Sequence, residues 1–312
     1  MPFLFRIFAS TMSSNKSAFI VYLKGIAMGI ADLVPGVSGG TIALITNIYE
    51  ELISSINRVT GNEIVRLLGS NRKQAWQNLN GSFLLPLILG IATSILFLSS
   101  IIQFFLENYA LALWSFFFGL IFASAILICK DVKQWSATTV IGLILGGITS
   151  FLIGFLTPAE AIQTLPYLFL CGMLMIIAMI LPGISGSFIL VLLGAYETAL
   201  STIDLVRSFE IQGFINLAAF GLGALVGIKL FARWVEKLFA SSRNTLLATM
   251  SGFMFGSLYK VWPWAKQLPS SPTDRSFVMQ QISLSNSDFC IGLFFIMLGI
   301  STIYAFHRLS KN

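Results

Sequence analysis

Twice in this chain an apolar stretch is cut in the middle by Pro and several Gly, and the two interruptions are copies of one another. Displacing the sequence by 147 residues lays Val34-Pro35-Gly36-Val37-Ser38-Gly39-Gly40 on Leu181-Pro182-Gly183-Ile184-Ser185-Gly186-Ser187. The same register puts Gly25 on Gly172, Met28 on Met175, Ala31 on Ala178, Tyr49-Glu50 on Tyr196-Glu197 and Ser54 on Ser201. Ungapped identity of this kind marks an internal duplication. Each arm of the interrupted regions, 18–56 and 165–203, has about 16 residues, or ~24 Å as helix, a little short of the ~30 Å hydrocarbon layer. Pro35 and Pro182 lack an N–H and disfavour helix just before them, while Gly36 and Gly183 permit turns closed to other residues. Non-helical backbone is too costly in lipid, so such breaks are buried in protein or line a polar cavity. A simple Pro kink is the plainer alternative, but a kink has no need of the glycines that follow.

The rest of the chain decides which solvent surrounds it. Of 312 residues, 56% are hydrophobic and 10% charged, and the mean hydropathy is +0.86. That much apolar surface cannot be buried in one water-soluble core. Six further segments, 82–102, 109–129, 137–156, 214–234, 245–262 and 288–306, are apolar over about a bilayer's thickness. The expected fold is an all-α polytopic membrane protein of two inverted repeats, 1–160 and 161–312. Each repeat is a re-entrant hairpin followed by three spans. The first apolar stretch carries Lys24 and lacks a small-residue cleavage pattern, so no cleaved signal peptide is expected.

Several chemistries are excluded at this point. Cys129, Cys171 and Cys290 stand singly, without a CxxC pair, and His307 is the only histidine. No metal site, His-based triad or cofactor is expected. The net charge of +6 fits basic loops beside anionic membrane lipid and not a nucleic-acid partner.

Basic residues set the topology. If each interrupted region returns to the side it entered, thirteen Lys and Arg fall on one side and three on the other, with Lys24, Lys229 and Lys260 inside segments. A single crossing by each region would move Arg58, Arg66, Arg72 and Lys73 across and erase most of that bias. The positive-inside rule then favours hairpins, with both termini cytoplasmic. An odd number of net crossings per repeat inverts one repeat relative to the other, so the two tips approach from opposite faces.

The tips are the candidate site. Ser38, Gly39, Gly40 and Thr41 in one copy and Ser185, Gly186 and Ser187 in the other offer hydroxyls and closely approachable backbone N–H groups, a cradle for an anion. Small residues also serve tight helix packing, and both uses can hold together. Asp32, whose counterpart is Met179, is an intramembrane carboxylate: a candidate for proton or sodium coupling, or a local cap. Lys24 could neutralise an anion or snorkel to the surface. Glu50 and Glu197 recur after a Tyr and are candidate gates or second-choice sites for a coupling ion, or simply the wet ends of their arms. Lys229 and Arg233 read as snorkelling bases.

With these residues in view, Gly29-Ile-Ala-Asp32-Leu-Val-Pro35-Gly36-Val-Ser38-Gly39-Gly40-Thr41, followed by Ile48-Tyr49-Glu50, resembles the signature of the polyprenyl-phosphate transporter (PopT) family. The second copy, Leu181 to Ser187, is similar to that family's second motif, and the likeness extends over nearly the whole chain. The resemblance implies a bacterial inner-membrane protein that returns undecaprenyl phosphate from the outer to the cytoplasmic leaflet, recycling the carrier for cell-wall synthesis. Its partners would be that lipid and the surrounding membrane. Where the family often has Gly before Ile-Tyr-Glu, this chain has Asn47. Two other readings stand beside it: a permease for a small anion, and an intramembrane lipid-modifying enzyme using Ser38 or Ser185 as nucleophile, for which no neighbouring base is visible.

Overall fold

The computed structural model describes residues 18–34, 36–69, 71–160, 162, 164–264 and 286–309. Pro35, one of the expected hairpin breaks, lies outside them, as do Arg6, Lys16, Lys266, Arg275 and Lys311 from the topology argument. The described residues form helices joined by turns and short loops, without strands.

Each interrupted region folds as three helices. In the first these are α1 (Ala18–Leu33), α2 (Gly39–Ile45) and α3 (Tyr49–Arg58). Two short surface helices follow, α4 (Gly61–Leu68) and α5 (Arg72–Asn78), which the hydropathy pattern did not announce. Then α6 (Gly81–Thr93) runs through a π turn at Ser94–Leu98 into α7 (Ser99–Asn108), and α8 (Ala110–Asp131) and α9 (Ala137–Ile153) complete the half. The second interrupted region repeats the first as α10 (Leu165–Ile180), α11 (Gly186–Leu192) and α12 (Tyr196–Arg207). The bounds of α10 and α11 are those of α1 and α2 moved by 147 residues. The returning arm is not one helix. Between α11 and α12 the chain bends by 107°, leaving a half-helix of ~10 Å at the tip.

The last third is α13 (Ile211–Ser257) and α14 (Asn286–Leu309). The 47 residues of α13 are two helices that meet at a kink. Ser242 marks it, with φ −147° and ψ 48°. The spans expected at 214–234 and 245–262 lie on either side of this kink, and helix continues beyond the first of them as far as the kink. Among the described residues four helices are long and apolar enough to cross a membrane, five if the bent pair α11–α12 counts as one. Large apolar side chains such as Leu96, Phe97, Leu225 and Phe294 cover the outer faces of these helices, as lipid contact requires. This is a multi-pass membrane protein.

Close helix contacts are made by glycines, and they recur in matched sets. A Cβ on Gly25 would lie 2.3 Å from Leu87 O and one on Gly90 2.2 Å from Tyr22 O, packing α1 on α6. In the second half a Cβ on Gly172 would lie 2.2 Å from Phe220 O and one on Gly223 1.9 Å from Phe169 O, packing α10 on α13 in the same way. The third helices behave differently. Gly119 of α8 faces Ile296 O and Gly299 of α14 faces Phe116 O, where an added Cβ would stand at 2.1 and 2.2 Å. Gly252 of α13 faces Leu143 O and Gly146 of α9 faces Thr249 O, where an added Cβ would stand at 2.1 and 2.3 Å. One common displacement carries Phe116 and Gly119 onto Thr249 and Gly252, and another carries Leu143 and Gly146 onto Ile296 and Gly299. Thus the third span of each half packs not on its own second span but on that of the other half.

These contacts make a paired prediction on one helix. Gly223→Ala should lower the thermal midpoint in detergent, at a cost of about 1–3 kcal/mol, because the new methyl meets backbone that cannot rotate away. A Cβ on Gly221 meets nothing within 4 Å. Gly221→Ala should be neutral or gain up to ~1 kcal/mol from helix propensity. Equal midpoints for the two variants would refute this packing of α10 on α13.

Candidate functional site

The two interrupted regions meet at their tips, through side chains that the duplication supplies. Ser38 caps α2: its Oγ accepts from Gly40 N–H at 3.1 Å. The same hydroxyl lies 2.8 Å from Met179 O and 3.0 Å from Leu181 O, so its single proton goes to the end of α10 in the other half. In return, Gly183 N–H donates to Thr41 Oγ1 at 3.2 Å. Gly40 allows this closeness, since a Cβ there would stand 2.1 Å from Ile180 O. Ser38 and Thr41 are each 1% exposed. In such surroundings a hydrogen bond is strong and an unmade one is costly.

At the first tip the chain satisfies its own donors. Asp32 Oδ1 accepts from Gly39 N–H at 2.7 Å, Ser38 Oγ takes Gly40 N–H, and Ser38 O takes Thr41 N–H. Of the two readings open for Asp32, the local cap is the one seen in the geometry. The second tip is different. Met179 replaces the carboxylate, the Ser185 side chain makes no capping bond, and its Oγ pairs with Ser187 Oγ at 2.9 Å. The duplicated backbone is thus conserved at both tips while the polar chemistry differs. Gly36 and Gly183 take matching φ values of 83° and 82°, and Pro182 and Gly183 are buried where the chain turns.

Asn47 finds its reason here. It has φ 56°, and its counterpart by the 147-residue displacement, Gly194, has φ 63°. Both sit in the left-handed region at the bend after the half-helix. Asn is among the few residues with a side chain that enter that region readily.

The remaining candidates lie away from the tips. Lys24 Nζ donates to Thr46 O at 2.7 Å, at the C-terminal end of α2, where a cation complements the free carbonyls. Lys229 does the same for α3, reaching Ile56 O at 2.6 Å and Asn57 O at 3.1 Å. Asn57 Nδ2 donates to Glu236 Oε2 at 2.6 Å, and Glu50 pairs with Arg243. These contacts fasten α3 to α13. Glu197, exposed on α12, has no equivalent ion pair among the described residues.

One residue was passed over in the sequence. Lys260, in the turn after α13, is only 6% exposed. Its Nζ lies 3.6 Å from the centroid of the Phe188 ring of α11. Among the described residues no carboxylate pairs with it. The rule that marks an ionisable residue inside an apolar segment as a functional candidate applied to Lys260 as much as to Asp32. Among the described residues no group of His, Cys, Asp and Glu could hold a metal ion.

Comparison with known proteins adds what geometry alone does not. The profile of the undecaprenyl phosphate translocase-like family matches residues 28–278. A Vibrio cholerae serotype O1 protein named polyprenyl-phosphate transporter is 39% identical over 247 residues, covering 79% of this chain and 78% of that protein. A Staphylococcus aureus protein of the same name is 32% identical over 257 residues, covering 78% of this chain and 86% of that one. No solved structure matches the chain.

Proposed function

Because the chain belongs to the undecaprenyl phosphate translocase-like family of polyprenyl-phosphate transporters, we propose that it carries undecaprenyl phosphate from the outer to the cytoplasmic leaflet of a bacterial inner membrane. The phosphate passes through the protein at the joined tips, and the polyprenyl tail stays in the bilayer. The observation that carries this reading is the contact of Ser38 and Thr41 with residues 179–183. It is a buried junction of small polar groups between duplicated elements, where irregular backbone is tolerated inside a membrane. On this reading the two halves are inverted with respect to each other, each contributing three net crossings, and the bias of basic residues supports cytoplasmic termini. The Ser, Gly and Thr residues of 38–41 and of 185–187 form the walls of the passage, and Glu50 and Glu197 stand as gates at opposite ends.

Inward movement of the anion runs against a negative-inside potential, at about 2.3 kcal/mol per charge per 100 mV. A co-transported proton or sodium ion offsets that cost. Asp32 is the carboxylate next to the tips and the place for it.

The test is leaflet-specific accessibility of labelled undecaprenyl phosphate in proteoliposomes. Protein-dependent loss of accessibility from the outer leaflet, without phosphate release, is the expected result. Phosphate release would indicate an enzyme. Movement of inorganic phosphate without movement of the lipid would indicate a small-anion permease.

A further inference from the structure

The duplication is broken at the tips by two charges. Asp32 lies at the first tip, where the duplicate has Met179; Lys260 lies at the second, where the repeat of packing contacts puts Leu127. Asp32 is engaged: it accepts the Gly39 N–H. Lys260 is buried with its ammonium on the face of Phe188 and has no acid beside it among the described residues. Its chain is held from three sides. A Cβ on Gly36 of the first tip would stand 3.6 Å from Lys260 Cβ, and one on Gly154, at the end of α9, 3.1 Å from Lys260 Cε. Phe188, next to Ser187, holds the head. An ammonium on a side chain this buried, set against an aromatic face and with no carboxylate beside it among the described residues, is placed to take an anion.

We propose that Lys260 is the cation that receives the substrate's phosphate, so that the headgroup binds on the second-tip side only, with the Ser185 and Ser187 hydroxyls beside it. This rests on the reading of the chain as a polyprenyl-phosphate transporter and says which residue neutralises the phosphomonoester. In the empty site the quadrupole of the Phe188 ring stands in for the anion, and the ammonium exchanges the ring for phosphate oxygens on binding. The first tip takes no phosphate, because its donors are spent on Asp32 and Ser38 and its own carboxylate repels a second anion.

Binding of undecaprenyl phosphate to the full chain in nanodiscs, with farnesyl phosphate and inorganic phosphate in parallel, tests this. Lys260→Met should weaken binding of either lipid phosphate at least tenfold, and Lys260→Arg should keep most of it. The ligand-free Met variant should melt no lower than the parent, since it removes a buried unpaired charge. Phe188→Leu should bind as tightly as the parent or tighter, because the ring competes with phosphate for the ammonium. Parental affinity in Lys260→Met, or equal losses in Lys260→Met and Phe188→Leu, would overturn the assignment while leaving the transporter reading intact. If Lys260→Met fails to fold, the Arg and Leu variants decide: strong loss in Phe188→Leu overturns it. A parent that binds inorganic phosphate through Lys260 but neither lipid refutes the transporter reading as well.

Discussion

Gly40→Val is expected to bring lipid translocation to background while the protein still inserts and purifies. A Cβ at this position would stand 2.1 Å from Ile180 O, 2.7 Å from Ile180 C and 3.2 Å from Met179 O. All three are backbone atoms at the end of α10, so no side chain can turn aside, and the tips must part. Parting them breaks the bonds from Ser38 to Met179 O and Leu181 O and from Gly183 to Thr41. Overpacking costs about 1–3 kcal/mol and each buried hydrogen bond about 1 kcal/mol, a large share of a marginal stability but spent at one place. Gly61, which meets nothing within 4 Å, is the control: Gly61→Ala should transport as the parent does. Parental rates in Gly40→Val would mean that contact between the tips has no part in transport.

Asp32 yields the second large effect, because two substitutions separate its two uses. Its Oδ1 accepts from Gly39 N–H, and an Asn side chain keeps an oxygen able to do the same. Asp32→Leu leaves that N–H without a partner, which should cost about 1–3 kcal/mol. Asp32→Asn should fold as the parent does, yet its transport in proteoliposomes should no longer respond to imposed pH or sodium gradients. If the Asn variant follows those gradients like the parent, the carboxylate is a cap alone and coupling resides elsewhere. If Leu is as stable as Asn, the cap itself is of no consequence.

Much of this was written plainly in the chain. Pro182, Gly36 and Gly183 carry the interruption in their own chemistry, and identity at a displacement of 147 residues identifies the second copy without any contact being known. The apolar runs from 82 onward were legible because lipid demands continuous hydrophobicity over a fixed length. What was not legible depends on contacts remote in sequence. Helix α4 is short and amphipathic and α5 short and polar, too short for either to give a span-length hydropathy signal. The continuation of α13 to Ser242 runs through Glu236, Lys237 and Ser241, which hydropathy reads as a loop although each is compatible with a helix. Nothing local distinguishes the hydroxyls of Ser38 and Thr41, bonded across to residues 179–183, from those of Ser185 and Ser187, bonded to each other. Asn47 was equally opaque until its φ of 56° matched the 63° of Gly194.

The crossed pairing of third spans bears on how the chain can be made. The ribosome delivers α9 long before α13, so the glycine face of α9 around Gly142 and Gly146 has only lipid or insertion machinery to meet until the far limb of α13 follows. The α8 face at Gly119 waits longer still, for α14. A nascent first half is therefore an open clasp and not a finished domain. Two co-expressed fragments, cut between α9 and α10, should find each other in the membrane and purify as one complex, whereas either fragment alone should be degraded.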